Sequence, residues 1–269
     1  MIRYTTFEIS GNRDHGKDTV ANYLEGNFNF KKFAFGSGVK RVCAAITGDD
    51  LSAYEDRFQK EEMTWLGITR RQLMTYIGTD ILREDLPKRF PSVDQKIGDT
   101  IWVQRVVNGI LAYVKSEMNK VHTLMLRNIE PEDISRDIRV VVSDERMNTE
   151  NDIMRSLFEL LFTPPDDSRK EEYGELYEKM HKEGYISSYF INPINNRSSS
   201  PLFPSIIKRR VKILVVDPRK PSPTKNPEIE WHSSETEFLN HDFDYVLDNS
   251  ADFDYLFAQI ESITKKELI

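Results

Sequence analysis

The sequence predicts an α/β fold in which a parallel five-stranded sheet is flanked by helices, and three observations carry that expectation. Short β-branched and aromatic runs recur at 4–10, 32–35, 139–143, 211–216 and 243–247. Helical patterns separate them, and a glycine-bracketed turn follows the first run at once. Strands alternating with helices need crossovers, and crossovers lay helices over both faces of a parallel sheet.

The run 4–10 leads through Gly11-Asn12-Arg13-Asp14-His15-Gly16-Lys17 into a helical pattern over 19–25. The strand 32–35 is short and ends in Gly36-Ser37-Gly38, before a helix expected over 39–46. Residues 49–65 are charged and read as surface helix and loop. Thr69 is placed to cap a helix over 70–77, which Gly78-Thr79-Asp80 interrupts before a helical stretch at 81–86. Asp99 starts a helix whose Ile101, Val103, Val106, Ile110, Leu111 and Val114 fall on one face. The run 139–143 reads as a buried strand with Asp144 at its C-terminal end, where ligands of open α/β sheets bind. A helix over 151–161 precedes a long polar stretch, 163–209, with a helix at 170–181 inside it, which reads as an insertion. Lys208-Arg209-Arg210 reads as a solvated entry to the strand 211–216. Four prolines and several charges give 217–236 the composition of a mobile lid, and a helix over 253–263 closes the chain.

Composition narrows the function classes. With 269 residues, 39% of them hydrophobic and 30% charged, the chain has material for a substantial core. A formal net charge of −7 argues against a protein that tracks a nucleic-acid polymer, though it allows a local cationic cleft. A single cysteine, Cys43, excludes an internal disulfide framework and reads as a buried structural thiol. No run approaches the length of a membrane span and the N-terminus lacks a signal-peptide pattern, so the expected location is the cytoplasm, of a cell or of an infected host. No spacing of His and Cys suggests a structural zinc site.

The pattern Gly11-x4-Gly16-Lys17-Asp18-Thr19 is the strongest local signal. Glycines let backbone N–H groups wrap phosphate oxygens, the following helix points its positive end at them, and Lys17 adds a point charge. These are the features of a P-loop. The usual pattern puts a Mg²⁺-binding hydroxyl immediately after the lysine; here Asp18 takes that position and the hydroxyl comes at Thr19. Gly11, Arg13, Gly16, Lys17, Asp18 and Thr19 are therefore candidates for binding ATP, with Thr19 toward its Mg²⁺.

Downstream, Thr69-Arg-Arg-Gln-Leu-Met-Thr-Tyr-Ile-Gly-Thr-Asp-Ile-Leu-Arg83, Asp99-Thr-Ile-Trp-Val103 and Ser143-Asp-Glu-Arg-Met-Asn-Thr-Glu150 follow Gly16-Lys-Asp-Thr-Val-Ala21. In order and spacing these segments resemble the deoxynucleoside monophosphate kinases of phages and viruses. The likeness extends to His232-Ser-Ser-Glu235 and Phe243-Asp-Tyr-Val-Leu-Asp-Asn249. It implies a single P-loop kinase domain over 1–269, with an acceptor-binding region at 37–115, an insertion at 163–209 and a lid at 217–236. It further implies that Lys17, Asp18 and Thr19 serve ATP and Mg²⁺, that Lys40 lies near the acceptor phosphate, and that Arg71, Gly78, Thr79, Trp102, Asp144, Arg146 and Glu150 surround the deoxynucleoside monophosphate. Lys17, Arg71 and Arg146 would be the catalytic cations, and Arg219 a lid cation reaching ATP. An Arg fork suits a monophosphate dianion, and a Trp face suits a base. Partners would be small molecules, with a homodimer allowed.

Blander roles compete at several positions. Arg71 could be a solvated helix residue, Trp102 core, Asp144 a helix cap, and the lid cations ordinary loop charges. Two other functions also fit. Animal-type phosphomevalonate kinase is similar in its Gly-Lys-Asp loop, its strand-end Asp-x-Arg and its Phe-Asp-x-Val segment. A nucleotide-sensing module without turnover would use the same loop.

Overall fold

The computed structural model describes residues 2–90, 95–126, 133, 135–143, 206–228 and 242–268. They form two compact units, one made of Met1–Phe33 and Val107–Ile269, the other of Ala34–Val106.

The first unit is built on a five-stranded sheet in the order β2-β3-β1-β4-β5. Its strands are β1 (Ile2–Ser10), β2 (Lys31–Ala34), β3 (Arg136–Ser143), β4 (Ile206–Val216) and β5 (Tyr245–Asp248). β1 runs parallel to β3, pairing Ile2 with Arg136 and Ile9 with Ser143, and parallel to β4, pairing Ser10 with Leu214. β4 and β5 are parallel as well. The expected α/β arrangement is the observed one. Alternation along the strands sends Phe7, Ile9, Val141, Ile213 and Val215 to one face. There they pack with Val20, Ala21 and Leu24 of helix α1 (Lys17–Phe28) and Leu256 and Ile260 of the C-terminal helix (Phe253–Glu267).

The opposite side of the alternation carries Tyr4, Thr6 and Glu8, all buried. Glu8 is ion-paired with Arg210 of the neighbouring strand. Burial pushes the Glu8 carboxyl up, against the pull of the Arg210 guanidinium. Residues 208–210 thus lie inside β4 and not at its entry; the exposed Arg209 is paired with Glu267 and Arg210 with Glu8. The tail of the polar stretch assigned to 163–209 accordingly lies in the sheet, where Arg209 and Arg210 each have a partner from a distant segment. Most of that stretch, with the helix at 151–161, lies outside the described residues.

The second unit is helical. Helix α2 (Gly36–Thr47) begins three residues before its expected start, so Gly36-Ser37-Gly38 form its first turn. Residues 49–65 contain 3₁₀ turns at Leu51–Tyr54 and Gln59–Glu61; Ala53 and Tyr54 are buried, and the Tyr54 hydroxyl lies 2.9 Å from Thr47 Oγ1. Cys43 is buried, and desolvation pushes its thiol up to about 11, which leaves it unreactive at neutral pH. Thr69 caps helix α3 (Arg70–Thr75) in a reciprocal box with Gln72. Gly78-Thr79-Asp80 do not break the helix that follows. The chain widens into a π-helical stretch, Tyr76–Asp85, and continues into α4 (Leu86–Arg89). Helix α5 (Gln95–Leu126) starts four residues before Asp99, and its residues from 107 on belong to the first unit; Val106, Ile110 and Val114 of the expected stripe are buried, as is Trp102, which lies outside that stripe. The C-terminal helix is α6. No helix of the described residues is long and apolar enough to cross a membrane.

Candidate functional site

The glycine loop leaves β1 at the C-terminal edge of the sheet, where open α/β sheets bind their ligands. Two glycines are required there by space as well as by backbone angle. Gly11 has φ 157°, and a Cβ on it would stand 2.6 Å from Val215 O. Gly16 has φ 104°, and a Cβ on it would stand 2.7 Å from Asn249 Nδ2. Gly16 is also the N-cap of α1 and supplies no side-chain cap, so the first turn of α1 presents its N–H groups toward the loop.

The loop is held from behind by residues that follow β4 and β5. Asn249 Nδ2 donates to His15 O at 2.9 Å. The His15 ring is buried; Nδ1 accepts from the Asp217 N–H at 3.1 Å, and Nε2 lies 3.3 Å from Pro221 O. Because Nδ1 is an acceptor, the ring proton sits on Nε2 and is donated to that carbonyl. Asp217 in turn accepts from Arg219 Nε at 2.9 Å and from the Arg219 backbone at 2.9 Å, and Arg219 Nη2 donates to Asn249 O at 2.6 Å. The Arg219 guanidinium holds the Asp217 carboxyl below the usual range, outweighing its desolvation. Arg219, expected as a lid cation, here fastens the start of the 217–236 segment to the end of β5.

Lys17 Nζ reaches back to Gly11 O at 3.3 Å. Asp18 accepts from Lys32 Nζ at 3.0 Å and from Ser143 Oγ at 2.9 Å. Desolvation pushes Asp18 up, but Lys32, Ser143 and Lys17 together hold it below the carboxylate range. Its carboxylate ties α1 to β2 and β3. Thr19 is half-buried in the first turn of α1, and Arg13 is exposed beside Asp14 at 3.9 Å. Asn12 is buried, with no hydrogen-bond partner for its Oδ1. Among the described residues no cluster of three His, Cys, Asp or Glu could hold a metal ion.

The candidates in the helical unit form their own constellation. Trp102 is buried; its indole N–H donates to Gly78 O at 3.0 Å, and its ring closes on Gly38, where a Cβ would meet Cζ3 at 2.7 Å. Gly78 also faces Val39, whose Cγ2 would be 3.1 Å from an added Cβ. Lys40 and Thr79 are half-buried. Arg71 is ion-paired with the exposed Glu61, a contact of the kind a stronger anion can displace. Its neighbour Arg70 is engaged more deeply, with Asp49 at 2.8 Å and Gln59 O at 3.0 Å. Asp144, Arg146, Glu150, His232 and Glu235 lie outside the described residues.

Sequence reasoning passed over His15, Asp217, Asn249, Lys32 and Ser143. His15, Ser143 and Asn249 stood in quoted segments without a role. Asp217 and Lys32 gave no local signal, since their contacts join distant parts of the chain.

A strand, a glycine loop and an uncapped helix start thus form an arrangement of the kind that suits a phosphate. Over 92 residues the chain is 32% identical to the Acanthamoeba polyphaga mimivirus protein named "Putative deoxynucleotide monophosphate kinase". That match covers 33% of this chain and 48% of the mimivirus protein, about half its length. A solved structure, TT1252 from Thermus thermophilus, aligns over 97% of both chains at 14% identity and a TM-score of 0.24. No family model matches the chain.

Proposed function

We propose that the protein is an ATP-dependent kinase that phosphorylates deoxynucleoside monophosphates. The observation that carries this is the glycine loop clamped at the sheet edge with the open start of α1 beside it; the likeness to the mimivirus protein supports the acceptor. In this reading Gly11, Arg13, Gly16 and Lys17 bind the β- and γ-phosphates of ATP, backbone N–H groups and the Lys17 ammonium neutralising charge that grows in the transition state. The acceptor's phosphate oxygen attacks the γ-phosphorus in line and ADP leaves. A monophosphate dianion is already a competent nucleophile, so no general base is needed.

Mg²⁺ fits the residues present in one way. Asp18 Oδ1 is bonded to Lys32 and Ser143, and the Thr19 hydroxyl with the phosphates themselves would hold the ion, as sparse protein ligation of Mg²⁺ allows. When bound it would add charge neutralisation on the transferred group. Lys40, Arg71, Gly78, Thr79 and Trp102, with Asp144, Arg146 and Glu150, bind the acceptor in this proposal. Trp102 contributes by fixing Gly78 and Gly38, and Arg71 by exchanging Glu61 for the monophosphate. Arg219 serves ATP through its hold on Asp217.

The test is a coupled assay of ADP release with dTMP, dGMP, dCMP, dAMP and mevalonate 5-phosphate, on the natural chain and on Lys17→Ala. Turnover on a deoxynucleotide, with kcat reduced about 100-fold or more in Lys17→Ala, is the expected result. Turnover on mevalonate 5-phosphate alone would overturn the acceptor, and ATP binding without any turnover would favour a sensor.

A further inference from the structure

A second charged recess lies at the other end of the sheet, within the same unit. β2 has four residues and β3 eight, so half of the outer edge of β3 has no described strand beside it. At that edge the structure holds a cleft of about 560 Å³ between the turn before β2, the middle of α5 and the start of β3. Its lining carries Lys31, Lys120, Arg136 and Arg139 against two carboxylates, Glu117 and Asp137. This is a cationic excess in a protein whose net charge is −7.

The charges are arranged as a built site. Glu117 is buried and accepts from Arg136 Nε at 2.9 Å and from Lys120, setting a guanidinium and an ammonium side by side. Desolvation pushes Glu117 up, yet Lys120 and Arg136 hold it below its ordinary range, so the bracket stays charged at neutral pH. Arg139 is fixed by Phe28 O at 2.8 Å and Asp137 at 2.7 Å. Lys31, only 3.9 Å from Glu25, faces them loosely across the recess. The side chains of Lys31, Lys120 and Arg136 are 54%, 56% and 40% exposed, so their charges remain accessible to a ligand. Tyr113 on the wall offers a hydroxyl kept protonated by burial and by Glu117. A single phosphate would meet only part of this ring, whereas the volume lies within the range of small-molecule pockets.

We propose that this cleft binds the polyphosphate chain of a nucleotide-sized anion, as a second site apart from the glycine loop. The β1–β3 register pairs Arg136 with Ile2, at the end of β1 opposite the loop, and Arg139 with Thr5; eight residues of strand put Arg136 roughly 26 Å from the loop. The site is therefore one for a regulatory ligand, and it stands whether or not the phosphoryl-transfer reading holds.

Calorimetric titration with tripolyphosphate and with dTTP, on the Lys17→Ala chain, separates it from the loop. One binding event is expected to survive Lys17→Ala. It should weaken about tenfold or more when Lys31→Gln and Lys120→Gln are added, through the loss of two charge-assisted contacts; both side chains are exposed, and a single cooperative melting transition verifies the fold. Tighter binding of dTTP than of tripolyphosphate would seat the base in the cleft, and equal affinities would limit recognition to the phosphates. Loss of all binding in Lys17→Ala, or binding indifferent to the two lysine changes, would overturn the proposal.

Discussion

At the scale of single residues, two glycines of the same helix segment should respond oppositely to one added methyl group. Gly16 holds φ 104° and faces Asn249 Nδ2 at 2.7 Å from a Cβ, whereas Gly26, inside α1, has nothing within 4 Å. Gly16→Ala is expected to destabilise by about 1–3 kcal/mol through strain and the displaced Asn249, and to weaken ATP binding. Gly26→Ala is expected to stabilise by up to about 1 kcal/mol through helix propensity alone. Urea denaturation of both variants checks the pair, and equal effects would show that the loop conformation is not constrained as described. The glycine loop was legible in sequence because its chemistry is local: seven consecutive residues supply the turn, the donors and the charge. What holds it in place was not. His15 meets Asp217 across 202 residues, and Asn249 meets the His15 carbonyl across 234. No periodicity or spacing reports contacts that only the folded sheet brings together. Asp18 makes the same point. Beside Lys17 it reads as part of the nucleotide site, and the local pattern does not report that its Oδ1 also accepts from Lys32 and Ser143 of β2 and β3.

At the scale of elements, local signals were read well and compensated ones were not. The Thr69 cap was visible because capping chemistry spans four residues, and Gln72 completes it. Gly78 looked like a helix breaker; the chain keeps its helix there by widening to the π form, and the Gly78 carbonyl is taken by the Trp102 indole. Such bulges accompany functional positions more often than chance, which fits a proposed acceptor role for this segment. Trp102→Phe tests that bond. It removes the donor while keeping an aromatic ring, and should cost about 1–3 kcal/mol because a buried carbonyl loses its partner. A urea titration reads the loss directly. In the proposed kinase KM for the monophosphate should rise with it, since Gly78 and Thr79 would no longer be fixed, while KM for ATP stays near its starting value. An unchanged stability would mean that the indole N–H bond contributes nothing net. The start of β4 was misread for a related reason: Arg209 and Arg210 carry charge into a strand because Glu267 and Glu8 wait for them.

At the scale of the whole molecule, the balance of buried and paired carboxylates sets how the fold responds to acid. Glu8, in the central strand, has its folded pKa raised by burial above the unfolded value. A group shifted this way favours the folded state below its unfolded pKa and gives up that advantage as pH rises through the folded pKa. Glu117, Glu267, Asp217 and Asp18 are shifted the other way: pairing with Lys120 and Arg136, with Arg209, with Arg219 and with Lys32 outweighs desolvation and depresses them. Their contribution is present above the unfolded carboxylate range near pH 4 and is lost as pH falls through their lower folded values. The two groups act in different windows. Lowering the pH from 7 toward the unfolded carboxylate range favours the folded sheet, where Glu8 holds its proton more tightly, and should raise the melting temperature. Going below about pH 4 protonates the depressed carboxylates and should lower it steeply. Melting curves recorded from pH 3 to 8 are thus expected to show a maximum on the acid side of neutrality. Glu8→Gln isolates the upper limb: it keeps the shape beside Arg210, which is partly exposed and can remain hydrated, while removing the titrating charge. The variant should lose the rise between pH 7 and the maximum and keep the acid collapse. A Glu8→Gln chain that melts lower than the natural one at pH 7, with the rise intact, would mean that the Arg210 pair wins over desolvation and that the central strand favours the ionised form.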